Sequence, residues 1–323
     1  MKKITYYIVF SLISISSLAS EQEQPSKNID HYHNKISTYI NENTEYIDEI
    51  IAKNEETNKE KNKSYAVLNI RQSFNSLYSN NNDIEFKFKA HLPYIKKRWN
   101  LFIDTNDSDF LPLEDKTKES FVDENSFIDR TKSSIVGLAF EDFNKNWNKK
   151  YGFGVKLDFP VDPFFKVKFY NKKNLSQNLI QDFNQEFFIY EKKGFGAKSN
   201  LNYIIRKKNK KYESNTYIQY LEKRSNEIEF SQQFSKWKKI SQKATLKNTV
   251  GFSIIWEKHK MNNSYWVNTR YRRLLYSDWL YGKVIPEISF SRSYNYKPNY
   301  GILFQLELFF AKDNHIKEAS SKD

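Results

Sequence analysis

The chain has no cysteine among its 323 residues. Disulfides, thiolate metal sites, cysteine nucleophiles and lipid attachment through an N-terminal cysteine are all excluded with it. Beyond the N-terminus no segment is long and apolar enough for a spanning helix, and mean hydropathy is low at −0.79. Motifs for catalysis are also lacking. None of His31, His33, His91, His259 and His315 sits in an H-E-x-x-H frame. There is no G-x-S-x-G and no P-loop, and the glycine pairs carry no nucleotide fingerprint. No cofactor, metal site or catalytic residue is expected, and an enzyme is not the expected class.

What the chain does have is alternation. From about 65 to 310, runs of roughly ten residues alternate apolar and polar, separated by lysine- and asparagine-rich turns such as Lys207-Lys208-Asn209-Lys210-Lys211. Ile84-Glu85-Phe86-Lys87-Phe88-Lys89-Ala90-His91-Leu92 places an apolar residue at every even position. A period of two gives a strand with one apolar and one polar face. Fourteen such strands are read, at about 65–75, 84–92, 98–104, 134–142, 151–159, 163–171, 181–191, 195–206, 212–221, 226–235, 241–256, 263–274, 279–290 and 300–310. An even number returns both ends to one side of a membrane, and twelve would serve equally well.

The N-terminus supplies the compartment. Met1-Lys2-Lys3 is a short basic start, Ile4 to Leu18 is apolar and serine-rich, and Ser17-Leu18-Ala19 offers small residues to a signal peptidase. Residues 1–19 read as a secretory signal peptide. The formal charge of +13 falls to about +11 once Lys2 and Lys3 leave. For an exported chain, anionic lipid, lipopolysaccharide phosphates or anionic solutes explain that charge better than nucleic acid.

The expected fold is therefore all-β: a transmembrane antiparallel up-and-down β-barrel of about 14 strands, with a short N-terminal periplasmic helix. Residues 20–63 form the helix and a polar linker, 64–311 the barrel, and 312–323 a polar tail. In the helix, Ile29, Tyr32, Ile36, Tyr39, Tyr46 and Ile50 recur at three- and four-residue spacings, with Asn43 in the gap. The stripe reads either as packing on its own barrel or on a membrane surface, or as a coiled coil. Helix 27–53 is thus a candidate contact for a homo-oligomer or a periplasmic partner.

Three sets of residues stand out in the barrel. The tryptophans Trp99, Trp147, Trp237, Trp256, Trp266 and Trp279 lie near strand ends or turns, where barrels carry aromatic girdles at the membrane interfaces. Lys87, Lys89, Lys156, Lys166, Lys168, Lys198, Arg270 and Arg272 fall on the polar faces. In a barrel they must point to the lumen, where a basic ring favours anions. Glu85, Asp158 and Glu307 share that side as partners. The third set is the long acidic loop, 105–133. From Asp104 to Asp129 it holds nine carboxylates against Lys116 and Lys118. Asp107, Asp109, Glu114, Asp115, Glu119, Asp123 and Glu124 read either as a constriction that enters the basic lumen or as a solvated surface loop. A calcium-loop reading from Asp104 fails, because Asp109 stands where the loop needs glycine and Asp115 where it needs glutamate.

The last strand, Asn299-Tyr300-Gly301-Ile302-Leu303-Phe304-Gln305-Leu306, resembles the terminal signal read by outer-membrane assembly machinery, except that the chain runs on past it. Arg270-Tyr271-Arg272-Arg273, Asp278-Trp279-Leu280, Pro286-Glu287 and Phe290 extend the likeness over about 180–310. Across that half the chain resembles a family of uncharacterised bacterial outer-membrane β-barrel proteins. The resemblance implies export and a barrel, with outer-membrane lipid, lipopolysaccharide and the assembly machinery as partners, and carries no activity. The expected function is a narrow passive outer-membrane channel with anion preference. A non-transporting envelope-structural or partner-binding barrel is the alternative, a barrel-embedded hydrolase the third reading, and a soluble periplasmic β protein the alternative fold.

Overall fold

A computed structural model describes residues 25–52, 64–77, 80–91, 99–105, 109, 134–144, 147–157, 160–222, 227–257 and 260–311. The expected signal peptide 1–19, the polar linker 53–63 and the tail 312–323 lie outside the described residues. A helix, α1 (Pro25–Ala52), precedes fourteen strands. These are β1 (Tyr65–Asn75), β2 (Asn81–His91), β3 (Trp99–Asp104), β4 (Ile135–Asp142), β5 (Asn148–Lys156), β6 (Asp162–Asn174) and β7 (Leu179–Tyr190). β8 (Gly194–Lys207), β9 (Lys210–Leu221), β10 (Glu227–Lys239), β11 (Ala244–Glu257), β12 (Lys260–Tyr276), β13 (Leu280–Ser291) and β14 (Pro298–Phe310) complete the set. Each strand pairs antiparallel with its sequence neighbours, and β1 closes on β14. All fourteen expected strands are present. Among the described residues no helix is long and apolar enough to cross a membrane.

Alternation decides the faces, and it decides them inside out. On the inward register Glu85, Gln219 and Glu229 are each only 1% exposed. On the outward register Val250 is 50% and Val267 55% exposed. A barrel stable in water would bury its valines and wet its carboxylates. This one puts the apolar half of each strand outside and the polar half in the lumen, the arrangement of barrels that cross lipid.

The strands leave two different ends. At the end where β1 begins and β14 finishes, turns such as 208–209 and 277–279 are tight, and α1 docks there. At the other end lies the 105–133 connection. His33 in α1 donates from Nε2 to the Phe309 carbonyl at 2.8 Å, and its ring stacks on Trp279 at 4.4 Å. Tyr276 donates to Asp30 at 2.7 Å. Around this dock Val67, Trp279, Phe309 and Ala311 form a small buried cluster.

The helix corrects one expectation of packing. Its buried side chains are His33, Ser37, Asn41 and Thr44, whereas Ile29, Tyr32, Ile36, Tyr39 and Tyr46 are exposed. The apolar stripe is real, but the face that meets the rest of the chain is the polar one. Hydrogen bonding and ring stacking at His33 hold the dock where aliphatic packing was expected. His33→Ala removes both, at a cost of about 2 kcal/mol. The expected result is cleavage near α1 by added protease roughly 10- to 30-fold faster, with the barrel core still resistant. Unchanged cleavage would show that the dock lies elsewhere.

Candidate functional site

The lumen wall of β5–β8 is built from inward positions of alternate character. Phe164, Phe188 and Tyr190 form a buried cluster with Ile135 and Leu221, and Phe102 packs against it. Such rings fit because the strands beside them lack side chains at the contact. A Cβ on Gly196 would lie 2.2 Å from the Phe188 ring, so only glycine admits that aromatic across the neighbouring strand. Above this platform stand two lysines. Lys166 Nζ lies 4.6 Å from the Phe164 ring centre and 5.3 Å from that of Tyr190. Lys198 Nζ lies 4.7 Å from the Phe188 ring. Aromatic faces attract such ammoniums, most strongly where water is excluded.

Asp109 closes the cluster. Its Oδ2 pairs with Lys166 Nζ and its Oδ1 with Lys198 Nζ, while the Tyr190 hydroxyl donates to Oδ2 at 2.8 Å. Burial pushes the Asp109 carboxyl up. The two ammoniums and their hydrogen bonds outweigh that and hold it well below the usual carboxylate range. One carboxylate of the acidic connection thus lies in the lumen between two lysines. Asp107, Glu114, Asp115, Glu119, Asp123 and Glu124 lie outside the described residues.

Beside the cluster is a cavity of about 290 Å³, lined in part by Asp104, Asp109, Lys150, Lys166, Lys168 and Glu186. Lys150 stands directly across from Lys168 on the paired strand. Lys150 has Glu141 at 3.4 Å. Lys168 has no ion-pair partner among the described residues. Its cross-strand neighbour on β7 is Glu186, and both face the cavity.

All eight basic residues singled out from the sequence lie on the inward register. Lys87 pairs with Glu85 at 2.8 Å, and Lys89 reaches Glu141 at 4.0 Å. Lys156 is almost wholly buried. Arg272 donates to Glu307 at 2.8 Å, and Arg270 lies 5.6 Å from the Trp237 ring centre. Of the three carboxylates expected beside them, Glu85 and Glu307 are in place, and Asp158 lies outside the described residues. Sequence reasoning missed Lys150, Lys283, Arg71 and Tyr190. Lys150 and Lys283 share the parity of Lys156 and Glu287, which was the available signal.

The tryptophans divide. Trp99, Trp147 and Trp256 are outward: Trp99 packs on Phe140 and Phe153, Trp147 on Phe183, and Trp256 is exposed. Trp237, Trp266 and Trp279 are not on the outer face. The Trp237 indole N–H donates to Glu213 at 2.6 Å inside the lumen, with Lys211 Nζ 4.2 Å from its ring centre. Trp266, 1% exposed, lies flat over Gly251, where a Cβ would come within 2.5 Å of it. Trp279 is the buried stacking partner of His33.

Fold and site together define a closed fourteen-stranded β-barrel with an apolar exterior and a charged, partly filled lumen. No protein-family model matches the chain, and no curated protein does. Among solved structures, the outer-membrane expressed OmpT of Vibrio cholerae is 7% identical with a TM-score of 0.49, over 79% of this chain and 100% of that one. The outer membrane channel DcaP of Acinetobacter baumannii is 7% identical with a TM-score of 0.44, over 76% and 96%. OccK11 (OpdR) of Pseudomonas aeruginosa is 10% identical with a TM-score of 0.42, over 77% and 96%. Likeness this slight carries no functional assignment.

Proposed function

We propose that the chain is an outer-membrane β-barrel acting as a narrow passive channel that favours anions. The observation that carries this reading is Lys168, which has no ion pair among the described residues and stands opposite Lys150 on a lumenal cavity. An ammonium held in a confined lumen without an ion pair attracts anions and repels cations. Lys166 and Lys198 stand on the same wall, their charge offset by Asp109. The outward apolar band supports lipid as the surroundings, with lipopolysaccharide and the assembly machinery as the encounters such a location entails. In a planar bilayer with a potassium chloride gradient, the reversal potential should show chloride preferred. Lys168→Gln should abolish most of that preference with little change in folding. Equal selectivity in both proteins would overturn the assignment, and the absence of any conductance would overturn the channel itself.

A specific observation favours a second reading, the partner-binding barrel without transport. The helix-side lumen is crowded by Lys283, Glu307 and Arg272, each 14% exposed or less in its side chain, and α1 turns an apolar stripe outward at the same end. On that reading the lumen is filled and the stripe recruits a periplasmic partner. The same bilayer recording separates the two.

A further inference from the structure

The outward face of the barrel is not uniform. At mid-strand outward positions β13, β14 and β1–β6 carry residues such as Val284, Phe304, Ile70, Phe86, Leu138 and Val167, with Gln72 the exception. Across β7–β12 the same level is polar. Gln185, Ser199, Thr216, Gln232, Asn248 and Thr269 come one from each successive strand, each within about three residues of its strand's middle. Their outward direction follows from their parity with the exposed Phe187, Tyr203, Ile218, Phe234, Val250 and Val267. Residues two apart on a strand share a face.

These side chains are joined in short pairs along the surface. Ser199 pairs with Gln185. Thr216 donates to Gln232 at 2.5 Å, and Gln232 in turn donates to Ser214 at 3.0 Å. Thr269 donates to Asn248 at 2.9 Å. Pairing consumes hydroxyl donors and amide oxygens, but the amide nitrogens of Gln185 and Asn248 donate to nothing among the described residues. Lipid tails offer such donors no acceptor. A belt of this kind is therefore costly against lipid and favourable against another polar surface.

We propose that this β7–β12 face is the interface with a second copy of this chain. The inference rests on the membrane reading above and goes beyond it. Two features select a second copy over another partner. First, the belt is neutral and holds donors and acceptors together, so it complements itself without charge repulsion. A two-fold axis between β9 and β10, running along the barrel, would set Thr216 of one copy against Gln232 of the other, and Gln232 against Thr216. That is the self-matching arrangement of a two-fold contact. Second, the size is sufficient. Two convex barrels meet along their facing strands, here β8–β11. Four strands about 4.8 Å apart over a band about 25 Å tall offer roughly 500 Å² per copy, matching the ~1,000 Å² in total that a specific interface needs.

The absence of cysteine makes the test clean. Single-cysteine variants Thr216→Cys, on the belt, and Phe88→Cys, on the opposite wall, are prepared in the full chain and refolded into lipid vesicles. Each is treated with a membrane-permeant bifunctional maleimide after boiling-dependent gel migration has confirmed a closed barrel. Thr216→Cys should give a band at twice the mass of the chain and Phe88→Cys should not. In addition, Thr216→Val with Gln232→Leu should convert a dimer in mild detergent to monomer by native mass spectrometry. No crosslinking at position 216, equal crosslinking at both positions, or an unchanged mass in the double variant would overturn the proposal. A water-soluble maleimide separates this failure from that of the membrane reading. If it labels neither position, lipid covers both and only the interface falls. If it labels position 88 readily, the membrane location falls as well.

Discussion

Glu307→Ala is expected to lower the stability of the folded barrel by about 3–5 kcal/mol, the range for breaking a buried ion pair from one side. Glu307 is the inward carboxylate of β14 and is almost wholly buried. Lys283 Nζ meets its Oε1 at 2.5 Å, and Arg272 Nε meets its Oε2 at 2.8 Å. Gln305 Nε2 donates to Oε1 at 3.3 Å. Three adjacent strands, β12 to β14, thus share one acceptor just below the helix dock. Truncation leaves two positive side chains in a confined space without the charge that offsets them. The effect is read as the urea midpoint of the protein refolded into vesicles. Glu307→Met combined with Lys283→Met and Arg272→Met should cost distinctly less than Glu307→Ala, since replacing all three charged partners by apolar groups removes the desolvation penalty with the ion pairs. If the single and the triple variants unfold together, the carboxylate is not the keystone of this cluster.

How far the chain was legible beforehand follows from which properties repeat. A period of two is local, so every strand could be read from its own residues, and the barrel followed from their number and the absence of intervening helices. The inward lysines were legible for the same reason, because parity assigns a face once lipid is assumed. Tryptophans were judged by residue type instead of parity, and that judgement failed at Trp266. It shares parity with Arg270 and Arg272, already placed inward, while Trp256 shares parity with Val250 and Phe252 and does lie outside. In α1 the spacing revealed an apolar stripe but not what it faces. The choice was made by His33 meeting Trp279 and the Phe309 carbonyl, a contact across 276 residues of sequence. Asp109 between Lys166 and Lys198 was legible only as opposite charge in two regions. Its seat depends on Phe164, Phe188 and Tyr190 forming a platform, and no local pattern encodes that.

Asp109→Asn is expected to raise the chloride preference of the channel about tenfold, with conductance rising in parallel. Asparagine keeps the size of the side chain and its place beside Tyr190, but removes the charge that offsets Lys166 and Lys198. Lys166, and Lys198 with only Glu186 left to it among the described residues at 3.9 Å, then add positive charge to the wall that carries Lys168. A tenfold change needs only ~1.4 kcal/mol, well within the ~4 kcal/mol of a charge pair near 4 Å at an effective dielectric of 20. Tyr190→Phe removes a hydrogen bond but no charge, and should leave selectivity nearly unchanged. Acidification offers an independent check on the cause. Because its pKa lies well below the usual carboxylate range, Asp109 stays ionised as pH falls, and its contribution is lost only below that range. Lowering the bath from neutral to about pH 5 should therefore not reproduce the asparagine phenotype. Bilayer reversal potentials on the three proteins at both pH values decide the matter. If Asp109→Asn and the parent protein share one reversal potential, Asp109 does not offset the charge that selects the permeating ion.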